Sequence, residues 1–576
     1  MRTPVRTRHR NFPISSHDSL SAMKKTLFLL AAFVWSALLA HAAEPPLNEG
    51  ALPAGQFVNP IAEGADPWVV RDPKLGRYLW CLSEGNRAIA IHAGRRLTAL
   101  GPKTIVWSAP ETGPVSREIW APELHFLDGR WHIYFAASDG RNENHRSYVL
   151  RSETPNPLGK YELHGPLATG DGADGRSPNV WAIDMTPLEL DGKRYAIWSG
   201  WDAPGTDRQF LYIAPMKSAT ELAGPRVRLC SNDDFPWEFT ENDGKGRGLN
   251  EGPQVVQNAG RTFVLFSCGA SWLPTYRLGR LELTGRDPLD PSAWTKHKKP
   301  VFTGNVTTYG VGHSCIVETL RGSAWWHVFH AKRDRRPGWR RGIFAQPMHF
   351  SEDGAPILGQ PVAPGRPLDL PYPEKSTVKF LSLNTRLRSV SDRHPFSYYG
   401  HHQFIKWRAN GVHLGIAPDR PINAYRSGEK LALDGSVSVD LIAEVSIDFL
   451  GNAQARDAGI LFRTTGLSVG YDAHRGYFAG VIPKTGLVIL GKTNGRAWKE
   501  IARAKASIDS SQSQRLRVEA KGETIVVLLN GRKMIEASDS DYSTGTVGLR
   551  VVDTHAVFSD FKFAANPNVI LPLPAK

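Results

Sequence analysis

Asp66-Pro67-Trp68-Val69-Val70-Arg71-Asp72-Pro73-Lys74-Leu75-Gly76-Arg77-Tyr78-Leu79-Trp80-Cys81-Leu82 is the stretch whose reading decides the fold. An acid opens it, a short strand follows, a turn closes on Gly76, and an apolar strand returns. The pattern recurs four times. Trp120-Ala121-Pro122-Glu123 leads through Asp128-Gly129-Arg130 to Trp131-His132-Ile133-Tyr134-Phe135. Asp184-Met185-Thr186 leads through Asp191-Gly192-Lys193 to Tyr195-Ala196-Ile197-Trp198. Glu251-Gly252-Pro253 and His313-Ser314-Cys315 open two further units, which turn at Gly260 and Gly322. The five turn glycines lie 53, 63, 68 and 62 residues apart. A hairpin-based unit of about sixty residues that repeats in this way reads as a propeller blade. Asp66, Asp184, Glu251 and His313 each stand eight to ten residues before their turn glycine, and Trp120 takes that place in the second unit. Blades ringing one axis bring equivalent places together. Two Asp, one Glu and one His are therefore expected to meet in one pocket.

A chain of 576 residues exceeds one ordinary core, so two or more domains are expected. The formal charge is +14, from 70 Lys and Arg against 56 Asp and Glu. The excess is spread along the chain, and its longest run, Lys332-Arg333-Asp334-Arg335-Arg336, is interrupted by an acid. Nucleic acid needs a clustered basic face, so no nucleic-acid partner is expected. A basic balance does suit anionic plant or cell-wall polymers. The 17 Trp fit blade cores and sugar stacking alike. Cys81, Cys230, Cys268 and Cys315 show no CxxC spacing, which speaks against zinc. One disulfide could form in an oxidising compartment, with no pairing readable.

Residues 1–42 read as a signal-peptide region. Translation is expected to start at Met23, with basic Lys24-Lys25, an apolar stretch Thr26 to Leu39, and cleavage after Ala40-His41-Ala42. The mature chain is then expected to be secreted or periplasmic, with no membrane span after cleavage. Residues 43–365 carry the five units. Residues 366–375 are Pro-rich and read as a semi-rigid linker. Residues 376–576 change character, with short alternating strands and an Asn530-Gly531 hairpin signal after Thr524 to Leu529. They are expected to form an antiparallel β-sandwich of jelly-roll type. The fold class is all-β: a five-bladed β-propeller followed by that sandwich.

Ala65-Asp66-Pro67, Trp120-Ala121-Pro122-Glu123, Ile183-Asp184, Glu251-Gly252-Pro253 and Gly310-Val311-Gly312-His313, in this order and spacing, resemble glycoside hydrolase family 43 over roughly residues 57 to 360. The resemblance implies a five-bladed propeller that cleaves glycosidic bonds with inversion. It implies Asp66 as general base, Glu251 as general acid, and Asp184 as the acid that tunes and orients Glu251. His313 matches the family's axial His, which in some members helps hold a water or a structural Ca2+. A cofactor is not required. The C-terminal part resembles concanavalin-type sandwiches appended to carbohydrate-active enzymes. The implied substrate is a plant cell-wall polysaccharide or oligosaccharide. An α-L-arabinofuranosidase is the first reading, with β-xylosidase, endo-arabinanase and exo-β-galactosidase behind it.

The residue types support this chemistry by themselves. Inverting hydrolysis needs one carboxylate to deprotonate water and one protonated carboxyl to donate to the leaving oxygen, roughly 6.5–9.5 Å apart. A third carboxylate beside the acid raises its pKa by like-charge repulsion. Bland readings stand beside these: Asp66-Pro67 as a turn, Asp184 as a structural hydrogen-bond partner, His313 as a core histidine. Trp120 is a candidate sugar platform and Trp68 a weaker one, with packing as the alternative for both. Asp72 and Glu123 are read as structural, and Tyr477 and Trp498 are faint candidates for a sugar site in the second domain. A binding propeller without activity would lack a carboxylate, and a retaining fructan-acting enzyme would need its pair about 5–5.5 Å apart.

Overall fold

Period-two alternation marks some sandwich strands: in Leu441–Phe449 every second side chain is buried. Second strands of the blades such as Lys193–Trp201 and Trp325–Lys332 are instead buried almost throughout. The computed structural model describes residue 52 and residues 55–565, apart from 73, 173–176, 240–247, 372–381, 390–395, 401–404, 416–427, 434–437 and 451–455. The signal-peptide region 1–42 lies outside the described residues. Among those described, no helix is long and apolar enough to cross a membrane.

Five antiparallel sheets form the blades, each with its first strand innermost. Blade I comprises Trp68–Asp72, Arg77–Glu84, Ala88–Gly94 and Lys103–Ser108. Blades II, III and IV open on Arg117–Leu127, Ala182–Leu190 and Asn250–Asn258. Blade V takes Gly312–Glu318, Trp325–Lys332 and Arg341–Phe350 from the far end of the propeller sequence. Its fourth strand, Ala62–Glu63, comes from the beginning and pairs with Gly342 and Ile343. The ring is thus closed by strand pairing between chain segments almost 300 residues apart.

Neighbouring blades are also hooked together by small side chains, most of them on second or third strands. Ser83 of blade I donates to the Ile119 carbonyl of blade II at 2.5 Å, and Ser147 of blade II to Ala182 of blade III at 3.2 Å. Ser199 of blade III donates to Asn250 of blade IV at 2.8 Å. Ser267 of blade IV accepts the His313 N–H of blade V at 2.8 Å, and Cys315 of blade V accepts the Val69 N–H of blade I at 3.3 Å. Each hook fixes backbone within three residues of the next blade's axial residue. All four cysteines are free, so no disulfide helps to close the ring.

The second domain is a sandwich of an eight-stranded and a seven-stranded sheet among the described residues. Leu441, Val445, Ile447, Phe462, Leu516, Val527, Leu549 and Phe558 are buried between them. Asn530 and Gly531, at φ 52° and 82°, make the hairpin turn that the Asn-Gly pair announces. Within the Pro-rich stretch read as a linker, Pro367–Asp369 is a strand paired with Gln56–Val58. The sandwich also touches the propeller directly. Val469 lies in the core shared by blades I, II and V, Ser468 Oγ donates to the Pro60 carbonyl, and Leu100 bridges to Tyr398.

Candidate active site

The axial side chains owe their direction to a local break in the pleat. Four inner strands slip register where they reach the axis: Trp120 to Glu123, Ile183 to Thr186, Glu251 to Gln254 and Gly312 to Cys315. Inside each slip one residue has left-handed backbone: Ala121 at φ 42°, Asp184 at 55°, Gly252 at 56° and His313 at 52°. Asp66, at 49°, does the same just ahead of the blade I strand. An L-residue pays about 1–2 kcal/mol for this conformation, and such strain collects at functional positions. The bulge explains how Asp184, flanked by buried Ile183 and Met185, leaves the apolar face.

The expectation of strict equivalence needs a correction here. Asp66, Asp184 and His313 share the left-handed place, but Glu251 stands one residue earlier, where blade III has Ile183 and blade II has Trp120. Glycine takes the left-handed place in blade IV, and an added Cβ on Gly252 would stand 3.1 Å from His313 Nδ1. The freed Gly252 N–H donates to Asp184 Oδ2 at 2.9 Å, tying Asp184 to the backbone next to Glu251.

Asp66 sits in a cationic and imidazole setting. Its Oδ1 is 3.4 Å from Arg341 Nη1, 3.4 Å from His313 Nδ1 and 3.2 Å from His330 Nδ1. Burial by itself would raise this carboxyl, yet the Arg341 guanidinium and the two imidazoles hold it well below the usual carboxylate range. Glu251 is gripped at both oxygens: Gln209 Nε2 donates to Oε2 at 3.0 Å, and the Tyr276 hydroxyl donates to Oε1 at 2.9 Å. Burial pushes Glu251 up to about 7, with the two donors opposing and the Asp66 charge assisting. Asp184 is driven well above its ordinary value by burial and then by the charges of Glu251 and Asp66. The surroundings therefore push Asp66 towards its ionised form and Glu251 and Asp184 towards their protonated forms.

The structure brings Asp66, Asp184, Glu251 and His313 together, as the repeat logic requires. Trp120 is half-buried and stacks on His145 with centroids 3.9 Å apart, in a wall continued by Trp181 and Trp201, which are stacked at 5.0 Å. Trp68 does not reach the pocket. Its indole is buried and donates to the Leu124 carbonyl at 2.9 Å, so it packs between blades I and II. Asp72 accepts the Leu75 N–H at the hairpin turn. Glu123 is buried against His125, with Thr186 and the charge of Asp184 nearby. In the second domain Tyr477 belongs to the core, and Trp498 packs over Gly491 and Phe478.

A hard cation at His313 is not supported by its surroundings. Calcium takes six to eight oxygens, whereas the His313 imidazole faces one carboxylate already met by a guanidinium. Among the described residues no group of three or more His, Cys, Asp or Glu could hold a metal ion. Four residues of the site escaped the sequence reading: His330, Arg341, Gln209 and Tyr276. A signal was available for two of them. The third strands of blades II to V begin with Arg146, Gln209, Arg277 and Arg341, a polar residue at the same place each time. Gly312 also has its reason, since a Cβ there would stand 2.2 Å from the Tyr276 ring.

Comparison with known proteins gives matches to both parts of the sequence. The sequence pattern described as Glycosyl hydrolases family 43 matches residues 57–356, and that of a 3-keto-alpha-glucoside-1,2-lyase-like domain matches residues 426–564. An "Extracellular exo-alpha-(1->5)-L-arabinofuranosidase" of Streptomyces chartreusis is 31% identical over 331 residues, which are 55% of this chain and 94% of that protein. A protein of the same description from Streptomyces avermitilis is 28% identical over 410 residues, 69% of this chain and 78% of that one. A solved α-L-arabinofuranosidase structure from Lactobacillus brevis aligns with a TM-score of 0.48 at 28% identity, covering 53% of this chain and 97% of that one.

Proposed function

This chain belongs to glycoside hydrolase family 43 and is a glycosidase, and we propose that it is an exported, inverting, exo-acting α-L-arabinofuranosidase that trims plant cell-wall polysaccharide or its oligosaccharides. The split protonation of the carboxyls carries the mechanism. Asp66, kept ionised by Arg341 and the imidazoles, takes a proton from the attacking water. Glu251, kept protonated by burial, gives its proton to the departing glycosidic oxygen. Asp184 orients the Glu251 segment by accepting the Gly252 N–H. Every proton transfer is assigned to a side chain of this chain, so no cofactor enters a step. The choice of sugar is supported by the Streptomyces relative matched over 94% of its length.

The test is hydrolysis of nitrophenyl α-L-arabinofuranoside, β-xyloside and β-galactoside, with the first anomer released read by NMR. Arabinofuranoside cleavage with inversion is expected. Preference for the xyloside would transfer the assignment to β-xylosidase, and retention of configuration would end the water-activating role of Asp66.

The pH profile follows from the same groups. Glu251 works only when protonated, so activity should be full at lower pH and fall as pH rises through about 7. No acid limb should come from Asp66, whose carboxyl ionises well below the usual range. Tyr276→Phe removes a donor that favours the Glu251 carboxylate. The alkaline limb should then move to higher pH by about one unit, the size of one hydrogen bond to a charged group. A limb that stays in place would reduce Tyr276 to packing.

A further inference from the structure

The site mouth is rimmed by the connections between second and third strands, because second strands end, and third strands begin, beside the starts of the inner strands. In blade V this connection is Arg333-Asp334-Arg335-Arg336-Pro337-Gly338-Trp339-Arg340. It is held in shape from several sides. Arg333 N–H donates to the Arg340 carbonyl at 2.9 Å, and Gly338 N–H to the Trp272 carbonyl at 2.9 Å. The Arg335 guanidinium donates to the Val306 carbonyl at 2.7 Å, and Arg333 pairs with Glu63 at 3.3 Å.

What this rigid rim presents outward is charge and one aromatic face. The side chains of Arg336 and Arg340 are 80% and 74% exposed, and both lean on a single acid, Asp334, at 3.4 and 3.5 Å. Trp339 is 65% exposed, an unusual state for an indole on an ordered loop. It lies 5.5 Å from the Trp272 ring, and the Arg341 guanidinium is 5.4 Å from its centroid. The same Arg341 reaches Asp66, so the rim adjoins the pocket through one side chain. Guanidinium groups match carboxylates in shape and charge, and an indole offers a flat apolar face to a sugar ring. A uronic acid residue carries both a carboxylate and a ring.

We propose that the 333–340 rim binds a uronate residue of the polymer that bears the sugar to be cleaved, making an acidic polysaccharide the preferred substrate class. This deepens the arabinofuranosidase reading and rests on it only for what happens next to the rim. The binding itself is measured without turnover, by affinity electrophoresis of the full chain in gels containing polygalacturonate or neutral arabinan. Polygalacturonate should retard the protein in a salt-sensitive way. Arg336→Gln/Arg340→Gln should weaken that binding about five- to tenfold, and Trp339→Ala by a similar factor. Lys499→Gln/Lys505→Gln, which removes the same charge from the sandwich edge strand Trp498–Lys505, should leave it unchanged.

Absence of retardation overturns the proposal. So does an equal loss in the sandwich variant, which would mean diffuse charge attraction, or full binding by Trp339→Ala, which would mean a polyanion surface with no sugar contact. Retardation together with failure to cleave nitrophenyl arabinofuranoside would strike the arabinofuranosidase reading and leave the rim standing. Cleavage without retardation would do the reverse.

Discussion

Glu251→Gln should lose about 10²–10⁴-fold in kcat on arabino-oligosaccharides and much less on nitrophenyl α-L-arabinofuranoside. The difference is chemical. An alkoxide leaves poorly without a proton, and the amide of Gln has none to give at the needed acidity. A nitrophenolate leaves well unaided. Gln also preserves the shape of the side chain and can still meet the hydroxyl of Tyr276 and the amide of Gln209. The variant should therefore melt at nearly the wild-type temperature. Its residual activity on the activated substrate should lack the alkaline limb near pH 7, since the titrating group is gone. Steady-state kinetics on the two substrates decides the matter. Equal losses on both, or a limb that persists, would show that Glu251 is not the group that protonates the leaving oxygen.

Asp66→Asn should lose a comparable factor, about 10²–10⁴, but on both substrates alike. Water must be deprotonated whichever group departs, so an activated leaving group brings no relief. The substitution also leaves the Arg341 guanidinium without its carboxylate partner. The Asp66 charge is one of the forces that raise Glu251, and Arg341 is one that lowers it. Removing the first and freeing the second both favour the Glu251 carboxylate. The remaining activity should accordingly fall off at lower pH than in the wild type. A loss confined to poor leaving groups, or a limb displaced to higher pH, would contradict the assignment of Asp66 as base. Together the two variants separate the roles of the carboxyls by their dependence on the leaving group.

Much of this molecule is written in local pattern. Five strand–turn–strand units and their glycines specify a ring of blades, because hairpins whose apolar strands are buried on both faces each need a neighbour on either side. The alternation in Leu441–Phe449 and the Asn530-Gly531 turn specify the sandwich in the same way. Three carboxyls near one place in the repeat were enough to expect a hydrolytic pocket. Tertiary structure alone decided how those carboxyls differ. The bulges break strand phase at the axis, with Asp184 in the left-handed place and Glu251 one residue before it, while Trp68, on a strand of unbroken register, goes into the core. Arg341 and His330, more than 250 residues from Asp66, hold it ionised; Gln209, opening a blade III strand, and Tyr276, just ahead of a blade IV strand, hold Glu251. Periodicity records which face of a strand is buried. It carries no information about a break in its own phase, or about which distant side chain will stand beside a charge, and in a low-dielectric pocket those two things set who keeps the proton.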